Sequence, residues 1–226
     1  MHRSRLTGFR PGGYKPDTVW SYEIGEKAKQ FDGRLTLNTG WYFEKWANVQ
    51  QYVTLNCGYV YSDNTGLVHV YGTEIEINAL VIPDVTVALN GGYTHARVVQ
   101  GSLETGVAIG AHVQDVPDLT GSAAIIYRHT ISDDLAFTGR IENNFVGSRT
   151  DATYFINHLP SYDLTNLRAG LVKNQWSAML FAKNLTNERA LLSDTLQIGI
   201  NVPTFNRISV GQPLTVGVDF SYHFKQ

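Results

Sequence analysis

Seven histidines are the residues best able to hold a metal or move a proton in this 226-residue chain. They are His2, His69, His95, His112, His129, His158 and His223, and no HxxxH or HExxH spacing occurs among them. Metal-binding motifs place their ligands at such short repeats, so the dispersed pattern predicts solvated imidazoles and no metal centre. His112 and His158 fall in long connecting segments, where they are candidate contacts for an external ligand. Ser122, Ser177 and His129 could supply parts of a hydrolase. That chemistry needs serine, histidine and an acid or amide in contact, and no GxSxG-type nucleophile motif is present. No catalytic residue is assigned, and an enzyme is not expected. Cys57 is the single cysteine. It excludes an intrachain disulfide and a cysteine-built zinc site. "GSLETG" and "GFRPGG" are glycine-rich, but neither follows a strand and opens a helix, so neither reads as a phosphate cradle. No cofactor is expected.

Composition narrows the class. Charged residues make up 17% of the chain, below the roughly 25% of soluble domains. The formal net charge is −2 and the basic residues are scattered, which gives no reason to expect nucleic acid. Nowhere do about 20 apolar residues run together, so no transmembrane helix is expected. The opening "MHRSRLTGFRPGGYK" has basic residues but no apolar stretch after them, so it is not a secretory signal.

The elements that must position these side chains are strands. In "PLTVGVDFSYHF", Leu214, Val216, Val218, Phe220, Tyr222 and Phe224 alternate with Thr215, Gly217, Asp219, Ser221 and His223. Successive side chains of a strand point to opposite faces, so this stretch is two-faced. The same alternation recurs in "RLTLNTGWYFEKWANV", "TEIEINALV", "VTVALNGGYTH", "LTGSAAIIYRH" and "LAFTGRIENNFVG", and no comparable helical period is seen. Parity with Tyr22, Ile24 and Ala28 puts Glu26 on the apolar face. Arg140, Glu142 and Asn144 are expected on the polar side.

Four connections are tight, at 31–34, 82–84, 132–134 and 173–175, with Asp, Asn, Gly or Pro where turn geometry wants them. The others, at roughly 50–67, 101–118, 150–160 and 188–212, are long. Tight and long alternate, so all tight turns lie at one end of a meander. Nine strands result, at about 17–30, 34–49, 68–82, 85–100, 119–131, 135–149, 161–172, 176–187 and 212–224. Aromatics cluster near their ends: Trp41, Trp46, Tyr93, Tyr127, Phe145, Tyr162, Trp176, Tyr222 and Phe224. Long strands, meander order, unequal loops and aromatic girdles describe an outer-membrane β-barrel, with its apolar face toward lipid. Two other readings fit the alternation. One is a small complete barrel acting as a pore or adhesin, with 50–62 as a tenth strand to make the count even. The other is a soluble β-sandwich binding module.

Particular residues carry a family likeness. Residues 8–13, 16–27, 32–38 and 41–50 follow the order GF(K/R)PGG, PE…SYE(L)G.K, DGRL.LN and an aromatic-rich run ending in (I/V)Q. Asn64, Gly66, Gly72, Glu74 and Glu76 match N.G…G.E.E. Leu159, Pro160, Ser161, Tyr162, Asn166, Arg168, Gly170, Trp176, Asn184, Leu185, Asn187 and Arg189 match an LPSY…N.R.G…W…NL.(D/N).R segment. "GQPLTVGVDFSYHF" matches a G.PRT.G…Y.F ending, with Leu214 where Arg is usual and Lys225 and Gln226 following the final aromatic. Together these motifs resemble the barrel of TonB-dependent outer-membrane receptors over about 210 of the 226 residues.

The resemblance implies an all-β, antiparallel up-and-down meander of 9–10 long strands, part of a 22-stranded transmembrane barrel that encloses a plug. Residues 1–16 would be the remnant of an extracellular loop and 17–226 the C-terminal portion of the barrel. Plug, N-terminal strands and the TonB-contacting box are not found in the chain. Its implied partners are outer-membrane lipid, the missing plug and N-terminal strands of the parent receptor, TonB indirectly through that plug, and an external small molecule such as a ferric siderophore. The implied location is the outer membrane of a Gram-negative bacterium. Without closure or plug, the chain would not transport by itself.

Overall fold

A computed structural model of the chain describes residues 13–54, 60–64, 66–101, 108–150, 158–199 and 202–224. The described residues hold strands and turns and no helix. In chain order the strands are β1 (Thr18–Gln30), β2 (Leu35–Ala47), β3 (Gln50–Thr54), β4 (Val60–Asn64), β5 (Leu67–Ile82), β6 (Val85–Gln100), β7 (Leu119–Ser132) and β8 (Leu135–Val146). They continue with β9 (Arg149–Thr150), β10 (His158–Leu159), β11 (Tyr162–Lys173), β12 (Trp176–Lys183), β13 (Leu191–Gly199), β14 (Val202–Val210) and β15 (Thr215–Tyr222).

Nine of them form one antiparallel sheet in the order β1-β2-β5-β6-β7-β8-β11-β12-β15. This is the meander that the alternation and turn chemistry predict. The tight turns sit where expected. Gly33 takes φ 83°, the left-handed region that costs glycine nothing, and its N–H reaches the Gln30 carbonyl at 3.1 Å.

Three differences stand out. Residues 50–54 and 60–64 pair as a separate two-stranded sheet, β3–β4, so the tenth wall strand is not found there among the described residues. The long connections carry two further small hairpins, β9–β10 and β13–β14. The strands expected at 135–149, 176–187 and 212–224 are shorter, ending at Val146, ending at Lys183 and starting at Thr215. Past these ends Arg149 Nη2 donates to the Leu191 and Leu192 carbonyls, and Asn184 Nδ2 to the Glu188 and Gln212 carbonyls.

The two faces of the sheet differ as the alternation requires. Ile24, Leu180, Val216 and Val218 are 65–72% exposed, and no second layer covers their face among the described residues. A sandwich would bury these rows between sheets, so the soluble-module reading is excluded. Trp46 and Tyr162 depart from the expected girdle. Both pair with residues of the concave face, Trp46 with Val68 and Tyr162 with Val146, and so line the interior. Glu26 pairs with Thr39 on the apolar face, as its parity predicts.

Candidate functional site

The concave face is built of rungs, because directly paired residues on neighbouring strands share a side. One rung runs Lys27, Asn38, Glu76, Asn90, Ser122 and Asn144 across six strands. Asn38 Nδ2 donates to Glu76 Oε2 at 2.9 Å and Asn78 Nδ2 to Glu76 Oε1 at 2.9 Å. Asn90 Nδ2 donates to Ser122 Oγ at 3.0 Å. Lower down, Arg140 Nε donates to Glu142 Oε2 at 2.6 Å, and Arg168 Nη2 to Asp219 Oδ2 at 3.3 Å. The rung from Lys27 to Asn144 floors a trough of about 620 Å³. Its chemistry is hydrogen bonding over a long, wet surface, suited to docking another polar surface.

Toward the long-loop end a second depression of about 530 Å³ is lined by Glu23, Tyr42, Glu44, Trp46, Glu74 and Val113. Tyr42 lies across Gly72, where any Cβ would collide with its ring and with the Tyr93 carbonyl. Its hydroxyl meets Thr94 Oγ1 at 2.6 Å. Above it Val49, Val68, Ala96, Val98 and Val113 form a small buried cluster joined by Trp46 and Val70.

Segment 108–118 extends the wall past the start of β7. Val98 N–H donates to the Ala111 carbonyl at 3.0 Å, and Val113 N–H to the Ala96 carbonyl at 3.2 Å. His112 thereby pairs with Arg97 on the convex side. Asp118 holds both: Arg97 Nη2 approaches its Oδ2 at 2.9 Å and His112 Nδ1 its Oδ1 at 3.8 Å. The Arg97 hydrogen bond keeps the Asp118 carboxyl below the usual range. Partial burial, then the Arg97 charge, lowers His112 below its ordinary value, with Asp118 opposing and His95 and His158 adding repulsion.

The two loop histidines are thus brought within electrostatic reach of each other. His112 is engaged with the wall, and His158 is exposed in β10. The hydrolase candidates are not assembled. Ser122 accepts from Asn90 on the concave face, whereas His129 Nδ1 meets Asp84 Oδ2 at 2.8 Å beside a tight turn. No cluster of three metal-ligating side chains occurs among the described residues. Sequence reasoning missed the Arg97–Asp118 anchor, since its members are 21 residues apart and only the fold of segment 108–118 joins them.

Residues 4–185 match the family described as TonB dependent receptor-like, beta-barrel. The chain belongs to the TonB-dependent receptor family. Solved uptake receptors and a solved metal transporter share the fold. The ferric yersiniabactin uptake receptor FyuA from Yersinia pestis matches with a TM-score of 0.70 at 17% identity, over 92% of this chain and 30% of its own. The copper transporter OprC gives 0.72 at 12% identity, over 93% and 32%. The ferric-catecholate import receptor Fiu from E. coli K12, in its closed form, gives 0.65 at 19%, over 93% and 28%. The chain therefore spans under a third of the length of these receptors. As a TonB-dependent receptor barrel segment it is an outer-membrane protein of the Gram-negative type and not an enzyme.

Proposed function

We propose that residues 17–226 form the C-terminal part of the barrel of a receptor for energised uptake of a scarce ligand, a ferric siderophore or a similar metal-bearing molecule. Residues 1–16 belong to an extracellular loop in this reading. It is carried by one observation: an open nine-stranded wall with an apolar, uncovered convex face and a hydrogen-bonding, concave trough. The convex face suits lipid, and the trough suits a plug. The missing plug and N-terminal strands complete the lumen, and TonB acts through the plug. Two contacts support the loop assignment. Lys15 N–H donates to Asn64 Oδ1 at 2.7 Å, and Gln50 Nε2 donates to the Lys15 carbonyl at 3.2 Å, at the long-loop end of the wall. His158 and His112 are the candidate ligand contacts at the outer mouth.

By itself the segment does not transport. Unpaired edge backbone in hydrocarbon costs several kcal/mol per group, so the open sheet needs its neighbours. The test is uptake of radiolabelled ferric siderophores by cells lacking their own receptors. Cells carrying the chain joined to a plug and preceding strands should accumulate iron only when TonB is present, and cells with the chain alone should not. Single-channel conductance from the chain alone in planar bilayers would replace this reading with that of a small pore.

A further inference from the structure

Three of the long connections meet at one short strand. Arg149 and Thr150 form β9, just past the end of β8. Asp115 N–H, from segment 108–118, donates to the Thr150 carbonyl at 2.8 Å. Arg149 Nη2 donates to the Leu191 and Leu192 carbonyls of β13 at 3.2 and 3.0 Å. Its guanidinium lies 5.6 Å from the centre of the Tyr162 ring, which faces the interior at the long-loop end. Leu159, the cross-strand partner of Arg149, and Ala190, just before β13, are each 1% exposed.

Arg149 is buried among these groups, and its Nη1 has no hydrogen-bond partner. None of the ion pairs among the described residues includes it. Arg97, Arg140 and Arg168 each have a carboxylate, although the side chains of the last two are about half exposed. The order is the reverse of what solvation demands. A guanidinium keeps its charge inside a protein, and a buried charge without a counter-charge is costly. Two carbonyls and a ring face offer partial charges only. The free Nη1 beside Nη2 forms the planar fork that matches the two oxygens of a carboxylate.

We propose that Arg149 takes a carboxylate of the incoming metal chelate, with Nη1 and Nη2 each holding one oxygen. Nη2 exchanges the Leu191 and Leu192 carbonyls for the stronger, charged acceptor, and β13 is released from β9 as the chelate enters. The inference rests on the receptor reading above and narrows its cargo to chelates that expose a carboxylate. The test uses cells that lack TonB and their own receptors and carry the chain joined to a plug and preceding strands, so that surface binding is read without import. The probes are radiolabelled ferric citrate and a neutral ferric trihydroxamate. Ferric citrate should bind saturably and the more tightly of the two. Arg149→Gln should weaken it about tenfold and leave the trihydroxamate unchanged. Arg149→Lys, a point charge without the fork, should restore only part of the loss. Heat-modifiable gel mobility checks that each variant folds. Should Arg149→Gln not fold, equal affinity of wild type and Arg149→Lys for ferric citrate would overturn the assignment. Undiminished ferric citrate binding by a folded Arg149→Gln, or a trihydroxamate bound as tightly as ferric citrate, would overturn it too. Absence of saturable binding of both chelates would instead strike at the receptor reading itself.

Discussion

At the scale of single residues, two side chains hold the long-loop end together. Asn184 is buried, and its amide is fully used: Nδ2 donates to the Glu188 and Gln212 carbonyls, each at 2.8 Å, and Oδ1 accepts from Glu188 N–H at 2.8 Å. It sits at φ 52°, a conformation that asparagine tolerates better than most residues. Asn184→Ala orphans several buried backbone groups at once and should cost about 1–3 kcal/mol, read as a lowered urea midpoint in bilayers. His112 gives a pH dependence of known sign. Its proton affinity is lowered in the folded state, so protonation favours release of segment 108–118. Docking is therefore complete above its ordinary value of 6.5 and weakens as pH falls below it. Asp118 adds a second loss only in stronger acid, below its ordinary 3.8. Exchange protection in 108–118, corrected for the intrinsic rate at each pH, should fall as pH drops below about 6.5, and His112→Gln should flatten that change.

At the scale of the strand, side-chain parity decides what a substitution costs. Ile125 faces outward from β7 and Thr120 faces the trough. Ile125→Arg puts a charge against acyl tails and should destabilise the barrel by about 2–4 kcal/mol, whereas Thr120→Arg should fold with nearly unchanged stability. Heat-modifiable gel mobility of the two variants separates them. Parity also explains the glycine at position 72. Tyr42 needs its bare backbone to lie flat on, so Gly72→Val should displace the ring and break the Tyr42–Thr94 hydrogen bond. A lowered unfolding midpoint, not restored by a conservative Tyr42→Phe change, checks this.

At the scale of the whole wall, the odd strand count limits how it can close. In a nine-stranded antiparallel meander the first and last strands, β1 and β15, run the same way. Closing the chain on itself, or pairing two copies edge to edge, would put parallel neighbours at every seam. An odd number of added strands gives antiparallel pairing throughout, as outer-membrane barrels have. Cysteines introduced at Ile24 and Val218, on the two edge strands, should therefore not cross-link within one chain under oxidising conditions. Efficient formation of that disulfide would revive the small complete barrel.

Much of this was legible in the residues themselves. Alternation fixed nine strands and their faces because strand geometry has period two and each face meets one solvent. Asp, Asn and Gly fixed the tight turns because few residues accept those dihedrals. The motif order from Gly8 to Phe224 pointed to the family. What the residues could not show was long-range pairing within the long connections. That 50–54 pairs with 60–64 apart from the wall, and that Arg97 clasps Asp118, depend on contacts between separate segments, which no local period encodes. The same holds for Lys45, His69 and Arg97, which stand in three separate strands and are made neighbours only by the sheet register.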